Sequence, residues 1–302
     1  MPSSFYVDPA VQAKLTPVAL APIAIERPWG IEARASWNFA AQADSIKWGE
    51  IWLACEDFGL ETKVASGPYE GKVPAWLKAN WGLALTGHRA TADAPALTIS
   101  LRIERTGPQP GPARAMDADE FWYVLEAGAE SWAGSSGPGP WPKSQVKTPL
   151  ELGDAFLVPK GLVSCQGPKL TILKALPTGA TVKTVHDWNR PPDLWGFTPP
   201  PKEVEIVGGE LEALEPVPDG RGRRLYQGDA FEVTLVKTGF ATGRGDGLSI
   251  ICPIKGRGRI QSAGNPETLR LNPGQAILVP AAQSRWSVES GTLVAYLHFR
   301  LY

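Results

Sequence analysis

The stretch Leu97-Thr98-Ile99-Ser100-Leu101-Arg102-Ile103-Glu104 alternates strictly between apolar and polar residues. As a strand it sets Leu97, Ile99, Leu101 and Ile103 on one face and Thr98, Ser100, Arg102 and Glu104 on the other. Hydroxyls, a guanidinium and a carboxylate then share one surface. A guanidinium is permanently charged and offers no lone pair, so Arg102 can grip a carboxylate or an anion but cannot ligate a metal. Donors for a metal are few in the chain. There are three histidines, His88, His186 and His298, and three cysteines, Cys55, Cys165 and Cys252. The cysteines are odd in number and far apart, which argues against a disulfide framework and fits a reducing compartment. Gly243-Arg244-Gly245-Asp246-Gly247 and Gly256-Arg257-Gly258 are glycine-rich but lack a strand–loop–helix context. They read as hairpin turns rather than phosphate loops, and Asp154 after Gly153 reads as a turn residue.

The elements that must carry these groups are mostly strands. Glu50–Cys55, Leu97–Glu104, Phe121–Leu125, Ala155–Val158 and Leu170–Ala175 read as strands separated by glycine- and proline-rich turns. Phe231–Lys237, Leu248–Ile254, Gly258–Ser262, Gln275–Val279, Arg285–Val288 and Thr292–Phe299 continue the rhythm. One short helix is expected over Ala75–Leu83, with Trp76, Leu77, Trp81 and Leu83 as its apolar positions. Short, regular strands with few helices indicate an all-β chain built as sandwiches or barrels. A repeated phrase divides it. Gly153-Asp154-Ala155-Phe156-Leu157-Val158-Pro159 returns as Gly274-Gln275-Ala276-Ile277-Leu278-Val279-Pro280, at an offset of 121 residues (274 − 153). Each is a tight turn feeding a short strand, and the repetition predicts two related modules. The expected division is an N-terminal module over 1–192, a connecting segment over 193–230 containing Pro199-Pro200-Pro201, and a C-terminal module over 231–302.

Bulk properties exclude several classes. The net charge of −1 and the charged fraction of 20% leave no footprint for nucleic acid or an anionic membrane surface. Val18–Ile25 is apolar but too short to span a bilayer, and Met1–Leu15 has no apolar run of signal-peptide length. The expectation is a soluble cytoplasmic protein. At 302 residues it can bury a real core, and its 12 tryptophans place several aromatic N–H groups near a groove or cavity mouth.

Five segments in order carry a resemblance: Glu26-Arg27-Pro28-Trp29-Gly30, Gly49-Glu50-Ile51-Trp52, Glu120-Phe121-Trp122-Tyr123-Val124-Leu125, Gly153 through Pro159, and Asp187-Trp188-Asn189-Arg190. Together they resemble the short bacterial and archaeal form of type I mannose-6-phosphate isomerase, from about Glu26 to the end of the chain. The resemblance implies two cupin (jelly-roll) modules and a zinc site in the first. The zinc ligands do not carry over. Ser100 stands where the family has a glutamine, Arg102 where it has one histidine and Ser164 where it has the other; Glu120 matches the family's glutamate. Strand alternation turns Cys165, next to Ser164, to the opposite face. The resemblance therefore implies no metal and no cofactor here, although zinc is the family's. In its place it suggests an ion pair, with the Arg102 guanidinium neutralising Glu120; the alternative is an Arg102 that reaches out to solvent.

Arg190 matches an active-site arginine of the family and suits a sugar oxygen or a phosphate; the other reading is a turn arginine paired with Asp187. Counting back from Leu97 puts Arg89 at the place of an active-site lysine. His186 replaces a tyrosine and reads as a wall residue, and Trp29, Trp52 and Trp122 read as core. The implied catalytic set is Arg190, Arg102 and Glu120, and the substrate-binding set Arg190, Arg89, Ser100 and Ser164. Three functions stay open. The first is a mannose-6-phosphate isomerase-like protein that lacks zinc catalysis and keeps a sugar or sugar-phosphate pocket. The second is an active aldose–ketose isomerase using Arg102 as electrophile or a rebuilt metal site. The third is a structural or interaction cupin without ligand.

Overall fold

In the computed structural model the described residues are 15–32, 47–57, 59–87, 93–136, 141–188, 205–219, 222–237, 241–242, 247–262, 268–283, 286–289 and 295–302. The chain forms two compact units. One comprises 1–22, 61–99 and 216–302, the other 23–60 and 100–215. These differ from the contiguous modules 1–192 and 231–302, for a topological reason. The strand Val18–Ala21 pairs antiparallel with Ala276–Val279, Val18 facing Leu278. Part of the expected connecting segment is likewise woven into sheets. Val217–Asp219 and Gly222–Gln227 join the sheet of Phe231–Lys237, and Glu212–Ala213 pairs with Phe156 and Leu157. Residues 193–204 lie outside the described residues.

Each unit is two sheets deep. In the first, an eight-stranded and a four-stranded sheet enclose Ile251, Ile260, Leu271, Ile277, Val279, Trp286 and Tyr296. In the second, the larger sheet runs Glu212–Ala213, Ala155–Val158, Glu120–Ala127, Leu170–Pro177, Ile99–Arg105, Lys47–Ala54, Ile23–Glu32. The smaller runs Gln145–Pro149, Trp132–Ser136, Ser164–Gln166, Ala113–Met116, Val182–His186. Between them Trp122, Val124, Phe156, Val158, Leu162 and Ile172 form the apolar core. The repeated phrase has the same role in both units. Gly153 and Gly274 take positive φ, 94° and 82°, where a side chain would be strained. The strands they feed then set Val158 opposite Glu120 and Val279 opposite Ser249.

The helix runs Pro74–Trp81, with proline in its first turn and Gly82 (φ 51°) closing it through an N–H to the Lys78 carbonyl. A second short helix, Leu83–Thr86, follows. Leu77 and Trp81 are buried, whereas Trp76 (36% exposed) and Leu83 (49%) are not. Trp76 is one residue, about 100° of helix, off the inward stripe, and Leu83 lies beyond the Gly82 break. No helix among the described residues is long and apolar enough to cross a membrane.

Candidate functional site

The strand Ile99–Arg105 lies third from the Ile23–Glu32 edge of the second unit's larger sheet and is buried on both faces. Its apolar face packs outward from the hollow between the sheets. Its polar face, Ser100, Arg102 and Glu104, faces that hollow with neighbours held in register by the ladder. Glu50 lies opposite Glu104 and Trp52 opposite Arg102.

Arg102 does not reach solvent; its side chain is 5% exposed. Nη2 donates to Glu120 Oε1 at 2.8 Å, and Nε lies 2.9 Å from Glu104 Oε1. The guanidinium thus bridges two carboxylates rather than forking onto one. The other oxygen of Glu120 accepts from Trp122 Nε1 at 2.5 Å. Glu104 also receives Arg114 Nη1 at 3.0 Å and Lys174 Nζ at 2.5 Å. Glu50 receives Arg114 Nη2 at 3.1 Å and Arg27 Nη2 at 2.7 Å. The result is a chain of alternating charge: Arg27, Glu50, Arg114, Glu104, Arg102, Glu120, with Lys174 joining at Glu104. Aromatic faces lie against the cations. Arg102 Cζ is 5.1 Å from the Trp52 centroid, Arg27 and Arg114 are 5.8 and 5.5 Å from Trp29, and Lys174 Nζ is 4.1 Å from Trp122. A ring quadrupole stabilises a cation in a place where water is scarce.

The electrostatics follow from this packing. Burial pushes the Glu104 carboxyl up, but Lys174, Arg102 and Arg114 outweigh it and hold the group well below the usual carboxylate range. Glu50 is likewise lowered, burial being opposed by Arg114 and Arg27. For Arg102, burial favours loss of the proton, but Glu104 and Glu120 reverse this and raise its pKa further. All three groups are therefore ionised near neutrality.

These donors do not suit a zinc ion. Neither histidine nor thiolate enters the network, and each carboxylate is already committed to a cation. Among the described residues, no group of three or more His, Cys, Asp and Glu side chains is placed to hold a metal. Ser100 Oγ lies 3.7 Å from Cys55 Sγ. Ser164 sits opposite Arg114 in the smaller sheet and shares its inward face. Cys165 turns the other way, into a cluster with Ala113, Ala115 and Val163. Trp29, Trp52 and Trp122 are buried, as core residues should be, and also supply ring faces to cations. His186 meets Trp188 edge-on, with centroids 5.0 Å apart. Arg89, Arg190 and His88 lie outside the described residues. Sequence reasoning missed Arg114 and Lys174. Lys174 had a signal, a single ammonium inside the apolar run Leu170–Leu176; such a residue needs a buried counter-charge.

No protein-family model and no curated protein matches the chain. Solved structures do. Mannose 6-phosphate isomerase from Bacillus subtilis superposes with a TM-score of 0.76 at 17% identity, covering 94% of this chain and 99% of that one. Mannose 6-phosphate isomerase from Salmonella typhimurium, solved with its substrate fructose 6-phosphate and zinc, superposes with a TM-score of 0.70 at 10% identity over 94% and 100% of the two chains. The likeness establishes the fold: an all-β chain of two cupin modules with few short helices.

Proposed function

We propose that this chain is a mannose-6-phosphate isomerase-like protein that binds a sugar or sugar phosphate without zinc and does not catalyse the metal-dependent isomerisation. The single observation that carries the reading is the Arg102 guanidinium shared between Glu104 and Glu120. A metal in such a site would polarise substrate oxygens. Here a fixed cation stands at the position where the resemblance calls for a zinc-ligating histidine, and its charge is spent on two carboxylates. That engagement also argues against Arg102 as a catalytic electrophile. Arg102 and Glu120 are assigned to the electrostatics of the hollow, and Ser100, Ser164, Arg89 and Arg190 to its ligand side. The free cysteines suit a reducing, cytoplasmic setting.

An anionic ligand suits the cations that line the hollow, of which Arg114 has the most exposed side chain, at 16%. The test joins metal analysis of protein purified without chelator to a coupled isomerase assay with and without added zinc. Thermal shift with mannose 6-phosphate and fructose 6-phosphate completes it. The reading expects less than stoichiometric zinc, no turnover and a raised melting temperature. Turnover abolished by chelator contradicts it. The filling of the hollow by paired side chains favours a second reading, a structural cupin; a melting temperature indifferent to every sugar phosphate would select that one.

A further inference from the structure

Across the smaller sheet of the second unit, the register aligns four polar side chains. Ser135 pairs with Ser164, Ser164 with Arg114, and Arg114 with Thr184. Directly opposed residues in a ladder point to the same face, and Arg114 fixes which face this is, because it reaches Glu50 and Glu104. The row therefore faces the hollow as hydroxyl, hydroxyl, guanidinium, hydroxyl. At the usual strand spacing it is roughly 14 Å from end to end.

Two members of the row have hydrogen-bonding capacity to spare. Ser135 is 0% exposed, and among the described residues its Oγ has no hydrogen-bond partner. A buried hydroxyl left in that condition costs stability, and such groups in folded chains have a reason. Arg114 is the least buried of the network's cations whose exposures are known, at 16%. Among the described residues it uses one N–H on each terminal nitrogen, toward Glu104 and Glu50. Its Nε–H and a second N–H on each nitrogen remain to donate. Its position is held by those two carboxylates and by the Trp29 ring, so little side-chain entropy is left to lose on binding.

We infer that this row is the binding wall for a monosaccharide bearing an anionic group, with Arg114 holding the anion and the Ser135, Ser164 and Thr184 hydroxyls holding the sugar. The inference rests on the sugar-ligand reading above and adds the residues and the charge requirement. A guanidinium matches the oxygens of a phosphate or a carboxylate, and serine and threonine hydroxyls both donate and accept, as sugar hydroxyls do.

The test uses the full chain, with titration calorimetry and thermal melts. The probes are mannose 6-phosphate, fructose 6-phosphate, a six-carbon sugar acid, neutral mannose and inorganic phosphate. The wild type binds an anionic sugar more tightly than mannose or phosphate alone, and the sugar acid separates a carboxylate from a phosphate requirement. Ser135→Ala raises the melting temperature of the unliganded protein, because it removes an unsatisfied hydroxyl, yet weakens the anionic sugar roughly three- to tenfold. Arg114→Gln removes the preference for anionic over neutral sugar; if this variant does not fold, Ser135→Ala decides. A wild type that responds while Ser135→Ala leaves every affinity unchanged, or melts lower without ligand, overturns the row alone. A wild type indifferent to all five probes overturns the sugar-ligand reading and the row with it.

Discussion

Replacing Arg102 by methionine keeps most of the side-chain volume and deletes the charge. The consequences differ for its two partners. Glu104 keeps Arg114 and Lys174. Among the described residues Glu120 keeps only the Trp122 N–H, in a site where its side chain is 0% exposed. Removing one partner of a buried ion pair costs about 3–5 kcal/mol, because the remaining charge is stranded in a poor dielectric. Most of that cost should come from Glu120. Arg102→Met is therefore expected to lose about 3–5 kcal/mol, and the double variant Arg102→Met/Glu120→Gln should recover part of it. The coupling across the cycle should be at least about 1.5 kcal/mol. Urea unfolding of wild type, both single variants and the double variant, followed by tryptophan fluorescence, measures this. Two compact units can unfold in separate steps, so the transition that shifts should be assigned to the second unit by the fluorescence of its buried tryptophans. A loss below about 1 kcal/mol for Arg102→Met, or strict additivity in the cycle, would refute the bridging role.

Other outcomes follow from the same packing. Glu104 and Glu50 have folded-state pKa values held below the unfolded value of about 4.3. Their contribution is complete above that value and is lost as pH falls below it. The urea midpoint should stay level from pH 7 to pH 5 and then drop; a midpoint unchanged at pH 3 contradicts this. Overnight treatment with a strong chelator should leave the melting temperature unchanged, since no described cluster of donors depends on a metal. Gly161 has φ 77°, and a Cβ there would press on the Glu205 carbonyl oxygen. Gly161→Ala should cost about 1–3 kcal/mol in the same urea assay. Burial pushes the thiol of Cys55 up to about 11, that of Cys165 up to about 12 and that of Cys252 further still. A thiol reagent at pH 8 should label none of them in the native protein and all three after unfolding.

The strand rhythm was legible because two-residue alternation and glycine turns are local properties. Ala155–Val158, Phe231–Lys237 and Gly258–Ser262 have the expected bounds. The polar face of Leu97–Glu104 was legible for the same reason. Its counter-charges were not, since Arg114 and Lys174 meet Glu104 only through pairings between distant strands, and a single sequence does not record which strands pair. The unit boundaries failed to appear for a related reason. Val18–Ala21 reads as a short apolar segment, and nothing near it in the chain says that its ladder partner is Ala276–Val279. The helix was found but shifted, because Trp76 and Leu83 were counted by hydrophobicity, whereas the helical period turns Trp76 off the inward stripe and the Gly82 break leaves Leu83 beyond this helix.

That distant pairing bears on the order in which the molecule can be made. Residues 23–60 and 100–215 are all synthesised before the last strands of the other unit exist. They can collapse early, as an insertion that needs nothing still inside the ribosome. The edge presented by Val18–Ala21 must wait for nearly the whole chain to emerge, its Leu278 partner being among the late arrivals. Closing so long a loop is slow, and until it closes one edge of this apolar strand, the edge away from Lys63–Val64, is open to other chains. Yield in the cell should therefore depend on translation speed and chaperone supply more than the finished molecule's stability would suggest.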